Sequence, residues 1–146
     1  MSLAAFNMGC NIIALEKNHR KYGMCAAWAQ MLDYDVISVL IGEGSVTGRQ
    51  LHKGDFVGVS SLASNQAPIA LIFGDHHSDQ FDKFASVKTT NLEGALLIDH
   101  AKVMMKCQII DILHFDFSKN DVFAVMKILS YETNDSLAFL SLSEVS

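Results

Sequence analysis

The sequence runs to 146 residues, half of them hydrophobic, with one proline and a formal charge of −5; that composition suits a single domain over 1–146 with a sizeable core and no linker. The acidic balance, without a Lys/Arg block, excludes nucleic acid as the main partner, and no apolar run reaches the roughly 18–20 residues of a membrane span. The amino terminus lacks a leader pattern, and Cys10, Cys25 and Cys107 show no CxxC spacing, so the expectation is a soluble, cytoplasmic protein without a disulfide framework or zinc site.

In chain order, Asn11 to Leu15 is a short apolar strand, and the polar run Glu16 to Lys21 predicts a hairpin that enters Gly23. Val36 to Ile41 is a central strand by its β-branched content. Ser45 to Lys53 has hydroxyl residues at its front and Gly54 where a helix end needs a left-handed residue, which predicts a short helix. Phe56 to Ser60 is a further strand. Asn65 to Phe73 predicts a second helix, with Pro68 early enough to be tolerated. Lys102 to Leu113 and Val122 to Tyr131 are long strands, joined by the turn-rich stretch His114 to Asp121 into a ribbon. No repeat or low-complexity tract is visible. Many antiparallel strands with two or three short helices make the fold mainly β, a closed or split barrel rather than a series of βαβ units.

Two segments carry chemistry. The small-residue stretch Cys25-Ala26-Ala27, between Met24 and Trp28, lets backbone N–H groups approach the polar edge of a flat ring without side-chain obstruction. Gly42-Glu43-Gly44-Ser45-Val46-Thr47 offers two glycines, two hydroxyls and a helix start to a phosphate. Together they read as a flavin cradle. Taken singly, the first equally reads as a core element and the second as a helix cap. His76-His77 reads as a solvated turn, because adjacent side chains diverge on either kind of element, and no metal site is expected. Cys25 has no partner motif that would make it a nucleophile.

The order of Gly23-Met24-Cys25-Ala26-Ala27-Trp28, Ser45-Val46-Thr47, Gly54-Asp55-Phe56 through Ser60-Ser61-Leu62, Gln66, Phe73-Gly74 and Asp82-Lys83-Phe84 resembles the flavin reductase-like, FMN-binding split-barrel family from about Asn11 to Tyr131. Asp33-Tyr34-Asp35-Val36 replaces a proline pair usual in that family, Cys25 stands where threonine is frequent, and the interval from Phe56 to Gln66 is about one residue longer than usual there.

The resemblance implies a split β-barrel of the FMN-binding type, Greek-key-like and antiparallel. It implies FMN as cofactor, with FAD the other candidate, and NAD(P)H as co-substrate whose hydride passes to the flavin. Met24, Cys25, Ala26, Ala27 and Trp28 would meet the ring, Gly42, Ser45 and Thr47 the phosphate, and Ser60 is carried over from the same pattern. No catalytic acid or base is called for, since the flavin performs the electron chemistry; His77 or Lys83 beside the nicotinamide is a minor idea. A homodimer is implied, with a partner monooxygenase as one destination for the flavin. Two other classes stay open: a non-catalytic flavin-binding electron-transfer module, and a flavin-free split barrel serving binding or assembly.

Overall fold

The structure, a computed structural model, describes Leu3, residues 5–75 and residues 82–145; His76 and His77 lie outside these. β1 (Asn11–Lys17) and β2 (Arg20–Ala26) form a hairpin with register Asn11 to Ala26 through Lys17 to Arg20. Its turn is only Asn18-His19, both at positive φ (54° and 64°), the conformation a two-residue hairpin loop demands. After Ala27-Trp28 the chain continues as β3 (Ala29–Asp33), which pairs with β4 (Val36–Ile41). β4 pairs with β9 (Ser118–Thr133), β9 with β8 (Val103–Phe115), β8 with β5 (Phe56–Ser61), and β5 with β1, all antiparallel. The β2–β3 bend closes this ring, and the Leu40 N–H donates to Trp28 O (3.0 Å) where it does so.

Period-two alternation fills the ring. Ile13 and Leu15 of β1, Ile37, Val39 and Ile41 of β4, and Val57 and Val59 of β5 form one buried cluster with Cys107, Ile109, Ala124 and Met126. The other face of β1 is buried too. Ile12 and Ala14 pack with Phe73 and Ala70 of α1 (Ala67–Asp75) and with Leu96 and Ile98 of β7 (Ala95–Ile98). β7 forms a hairpin with β6 (Thr89–Leu92) across Glu93-Gly94, both at positive φ. β5 and β7 approach so closely that a Cβ on Gly58 would lie 2.5 Å from the Leu96 carbonyl carbon; only glycine fits there.

Three local expectations are corrected. The helix expected over Ser45 to Lys53 is a single 3-10 turn, Gly48–Gln50, after which Leu51 is extended. Gly48 already abuts Ile41, whose Cγ2 would lie 2.8 Å from an added Cβ, so the segment is pinned to β4 and opens toward β5. Gly54 does take positive φ (95°), in the His52 to Asp55 turn rather than at a helix end. The second helix starts two residues later than expected, at Ala67, and just ahead of it the Gln66 Oε1 accepts the Ala63 N–H (2.9 Å). The connection expected over His114 to Asp121 shrinks to Asp116-Phe117, since β8 runs to Phe115 and β9 starts at Ser118.

No helix among the described residues is long and apolar enough to cross a membrane.

Candidate functional site

A pocket of about 300 Å³ opens at the barrel rim, between β2, the loop after β4 and the end of α1. Met24 and Cys25 of β2 line one wall, Gly42, Gly44, Ser45 and Thr47 another, and Phe73, Gly74 and Lys83 the third. The hairpin places β2 beside β1, and the β2–β3 bend carries the chain back to β4; that route brings two segments about twenty residues apart face to face. The Ser45 hydroxyl marks the junction, donating to Met24 Sδ (3.2 Å) and accepting the Gly48 N–H (2.9 Å).

The loop has the makings of an anion seat. Gly44 and Val46 line the pocket, and their N–H groups take no partner among the described residues. An added Cβ at Gly42 or Gly44 would meet nothing within 4 Å, so the backbone there is open to approach. Thr47 is 2% exposed, so of the two hydroxyls Ser45 is the more accessible. At the β2 end the N–H groups of Ala27 and Trp28 likewise take no partner among the described residues, as a ring-edge cradle requires.

The expected residues do not all converge. Met24, Cys25, Gly42, Ser45 and Thr47 share the pocket. Ala27 lines an adjoining, more apolar pocket of about 290 Å³ that shares Cys25 and Gly74 and is also lined by Leu71, Leu142 and Val145. The Ala26 side chain points into the barrel core, and Trp28 is 63% exposed on the outer surface. Ser60 is fully buried against β7, its Oγ accepting the Ile98 N–H (2.9 Å), and lies away from both pockets. The alternation along β5 explains this: Val57 and Val59 face the barrel, so Gly58 and Ser60 face the other way.

Gly23 has a packing role. An added Cβ would lie 2.6 Å from Phe73 Cε1 and 2.8 Å from Phe84 Cζ, and these rings meet edge to face at 5.1 Å. Lys83 completes the wall: 3% exposed, it donates from Nζ to Gly23 O (2.7 Å) and Phe73 O (3.1 Å), tying β2 to the end of α1. Burial pulls its pKa down to about 8. The Cys25 thiol is pushed up to about 12, chiefly by burial and then by its neighbour Cys10. A thiol so far from ionising is a poor nucleophile at neutral pH. Phe73 and Gly74, which the sequence pattern named without a site role, enter this wall through the packing of α1 on β2. Among the described residues no cluster of His, Cys, Asp or Glu could hold a metal ion.

The flavin reductase like domain model matches residues 3–141. The chain belongs to the flavin reductase-like family. Among solved structures it is similar to the Streptomyces globisporus C-1027 NADH:FAD oxidoreductase SgcE6, with 18% identity, a TM-score of 0.81, and coverage of 92% of this chain and 80% of that one. That protein is also known in complex with NAD and FAD fragments (20% identity, TM-score 0.78, covering 92% and 79%). Flavoredoxin from Methanosarcina acetivorans is 11% identical with a TM-score of 0.80, covering 97% and 89% of the two chains. An FMN-binding protein from Thermus thermophilus with bound p-hydroxybenzaldehyde is 15% identical with a TM-score of 0.79, covering 90% and 75%. These similarities establish the split-barrel fold. No curated protein matches the sequence.

Proposed function

We propose that the family member described here binds a flavin in the rim pocket and acts as an NAD(P)H:flavin oxidoreductase. The observation that carries the reading is the meeting of β2 and the Gly42 to Thr47 loop around one opening, where the N–H groups of Gly44, Val46, Ala27 and Trp28 take no partner among the described residues. FMN is the favoured cofactor, because the loop fits a terminal phosphate; FAD is the alternative. A bound flavin would supply the two-electron chemistry.

The residues of the chain do the rest. Ser45 Oγ and the Gly44 and Val46 amides hold the phosphate in place, a charge-assisted contact worth about 1.5–3 kcal/mol per hydrogen bond. The Ala27 and Trp28 amides orient the ring edge. The apolar pocket lined by Ala27, Leu71, Leu142 and Val145 keeps water from the face where a nicotinamide would stack. The exposed apolar side chains of the β3 region, Trp28, Met31, Leu32 and Tyr34, support assembly into a homodimer. A partner monooxygenase is a candidate destination for the reduced flavin.

The test is steady-state NADH and NADPH oxidation with FMN, FAD or no flavin. Turnover that requires flavin and prefers one nicotinamide supports the reductase. Tight flavin binding with no turnover would instead favour an electron-transfer module, and neither binding nor turnover a flavin-free binding or assembly protein.

A further inference from the structure

Lys83 presents an imbalance that its structural bonds leave open. Its ammonium is almost fully buried and rests on two carbonyl oxygens, Gly23 O and Phe73 O, but among the described residues no carboxylate pairs with it. An isolated buried charge costs several kcal/mol, and neutral carbonyls offset it only in part. A hydrocarbon side chain would fill the same volume without that cost. Lys83 also lines the open pocket, beside the strand assigned to the ring.

Resting on the flavin-site reading above, we infer that Lys83 is the fixed positive charge that makes the pocket bind reduced flavin more tightly than oxidised flavin. A neutral oxidised ring that takes up two electrons and one proton is left with one negative charge, and a cation near the ring is a recognised lever on flavin electronics. The oxidised ring carries no such charge and gains little from the ammonium. The phosphate is present in both states, so a cation at the phosphate alone would favour neither.

Among the described residues few other charges compete. On β2, Cys25 is neutral across the working range, and Lys21 lies 5.9 Å from the Phe84 ring centroid on the exposed side. Cys10, ahead of β1, is likewise held neutral by burial. Asp82 is exposed and accepts the Phe84 N–H, and Glu43 on the facing loop is exposed. The lowered pKa of Lys83 adds a pH signature: the ammonium, and with it the preference for reduced flavin, is present below about 8 and fades as pH rises through that value.

The experiment measures Kd for oxidised and for dithionite-reduced FMN, and for oxidised riboflavin, on the wild-type chain and on Lys83→Met. Both Kd values are taken from pH 7 to 9.5, so the wild-type series alone tests the idea should the variant misfold. The expected result is that Lys83→Met weakens reduced FMN about tenfold relative to oxidised FMN, equivalent to about 30 mV in the two-electron potential. In the wild type the reduced-to-oxidised preference should fall over the same pH range. An equal loss for both redox states, a loss confined to oxidised FMN over riboflavin, or a preference that does not change with pH would overturn the inference and leave Lys83 as a strut or phosphate contact. Absence of any flavin binding by the wild type would instead overturn the reading of the site itself.

Discussion

Gly23→Ala tests the packing that aligns the two pocket walls. The added Cβ would stand 2.6 Å from Phe73 Cε1, 3.0 Å from Phe73 Cδ1 and 2.8 Å from Phe84 Cζ, whereas carbon atoms in contact prefer about 3.5–4.0 Å. Both rings must therefore retreat by about 1 Å. Phe73 is 1% exposed and wedged between α1 and β1, so it has nowhere to go. Overpacking of this kind costs about 1–3 kcal/mol, against which alanine recovers about 0.4–1 kcal/mol by restricting the unfolded chain. The expected net destabilisation is about 1–2 kcal/mol, read from urea unfolding midpoints at unchanged slope. Adding Phe84→Leu removes one of the two obstructions. The double variant should then be more stable than the sum of the single effects by about 0.5–1 kcal/mol. A Gly23→Ala cost below about 0.5 kcal/mol, or strict additivity with Phe84→Leu, would refute the reasoning that this glycine exists for ring packing.

Gly58→Ala should be far worse, above about 4 kcal/mol and in practice no cooperative unfolding transition, because the obstruction is Leu96 backbone; a normal melting curve would contradict the close approach of β5 and β7. Ser45→Ala should weaken FMN about tenfold and leave riboflavin unchanged; parallel titrations that lose both equally would remove Ser45 from the phosphate. Stability has a pH profile set by groups of opposite sign. Lys83 titrates near 8 when folded and near 10.5 when unfolded, so its contribution rises between those values. Cys25 and Cys107 titrate near 12 when folded against 9 when unfolded, so theirs falls above pH 9. The melting temperature should carry a shoulder or maximum between pH 8 and 9, and Lys83→Met should abolish the rise; a profile identical in the variant would argue against the buried ammonium.

Much of this architecture is legible in the chain because some residues state their environment locally. Ile12, Ile13, Ala14 and Leu15 form an apolar run too dense for a one-sided strand, and β1 is indeed buried on both faces. Val36 to Ile41 and the long β8–β9 ribbon are equally direct. The Ser45 to Lys53 stretch misleads because its capping signals are genuine but local: Ser45 does accept the Gly48 N–H, yet contact with Ile41 and the return to β5 stop the turn from growing into a helix. The β6–β7 hairpin is missed although Glu93-Gly94 between Thr89-Thr90-Asn91-Leu92 and Ala95-Leu96-Leu97-Ile98 is a two-residue hairpin signal.

The pocket divides in the same way. Met24, Cys25, Gly42, Ser45 and Thr47 meet as the residue pattern implied. Ser60 stands elsewhere, and counting the alternation from Val57 would have placed it on the opposite face. The place of Lys83 in the wall depends on Gly23 and Phe73, residues 60 and 10 positions away, and no spacing rule encodes that meeting.

The account stands most directly on one equilibrium titration: purified protein against FMN, followed by quenching of flavin fluorescence, with Gly42→Ala alongside. The account predicts saturable binding of one flavin per chain, weakened in Gly42→Ala while its melting temperature stays unchanged, since an added Cβ there meets nothing in the protein itself. Absence of saturable binding, or wild-type affinity in Gly42→Ala, would contradict the assignment of the rim pocket to the flavin.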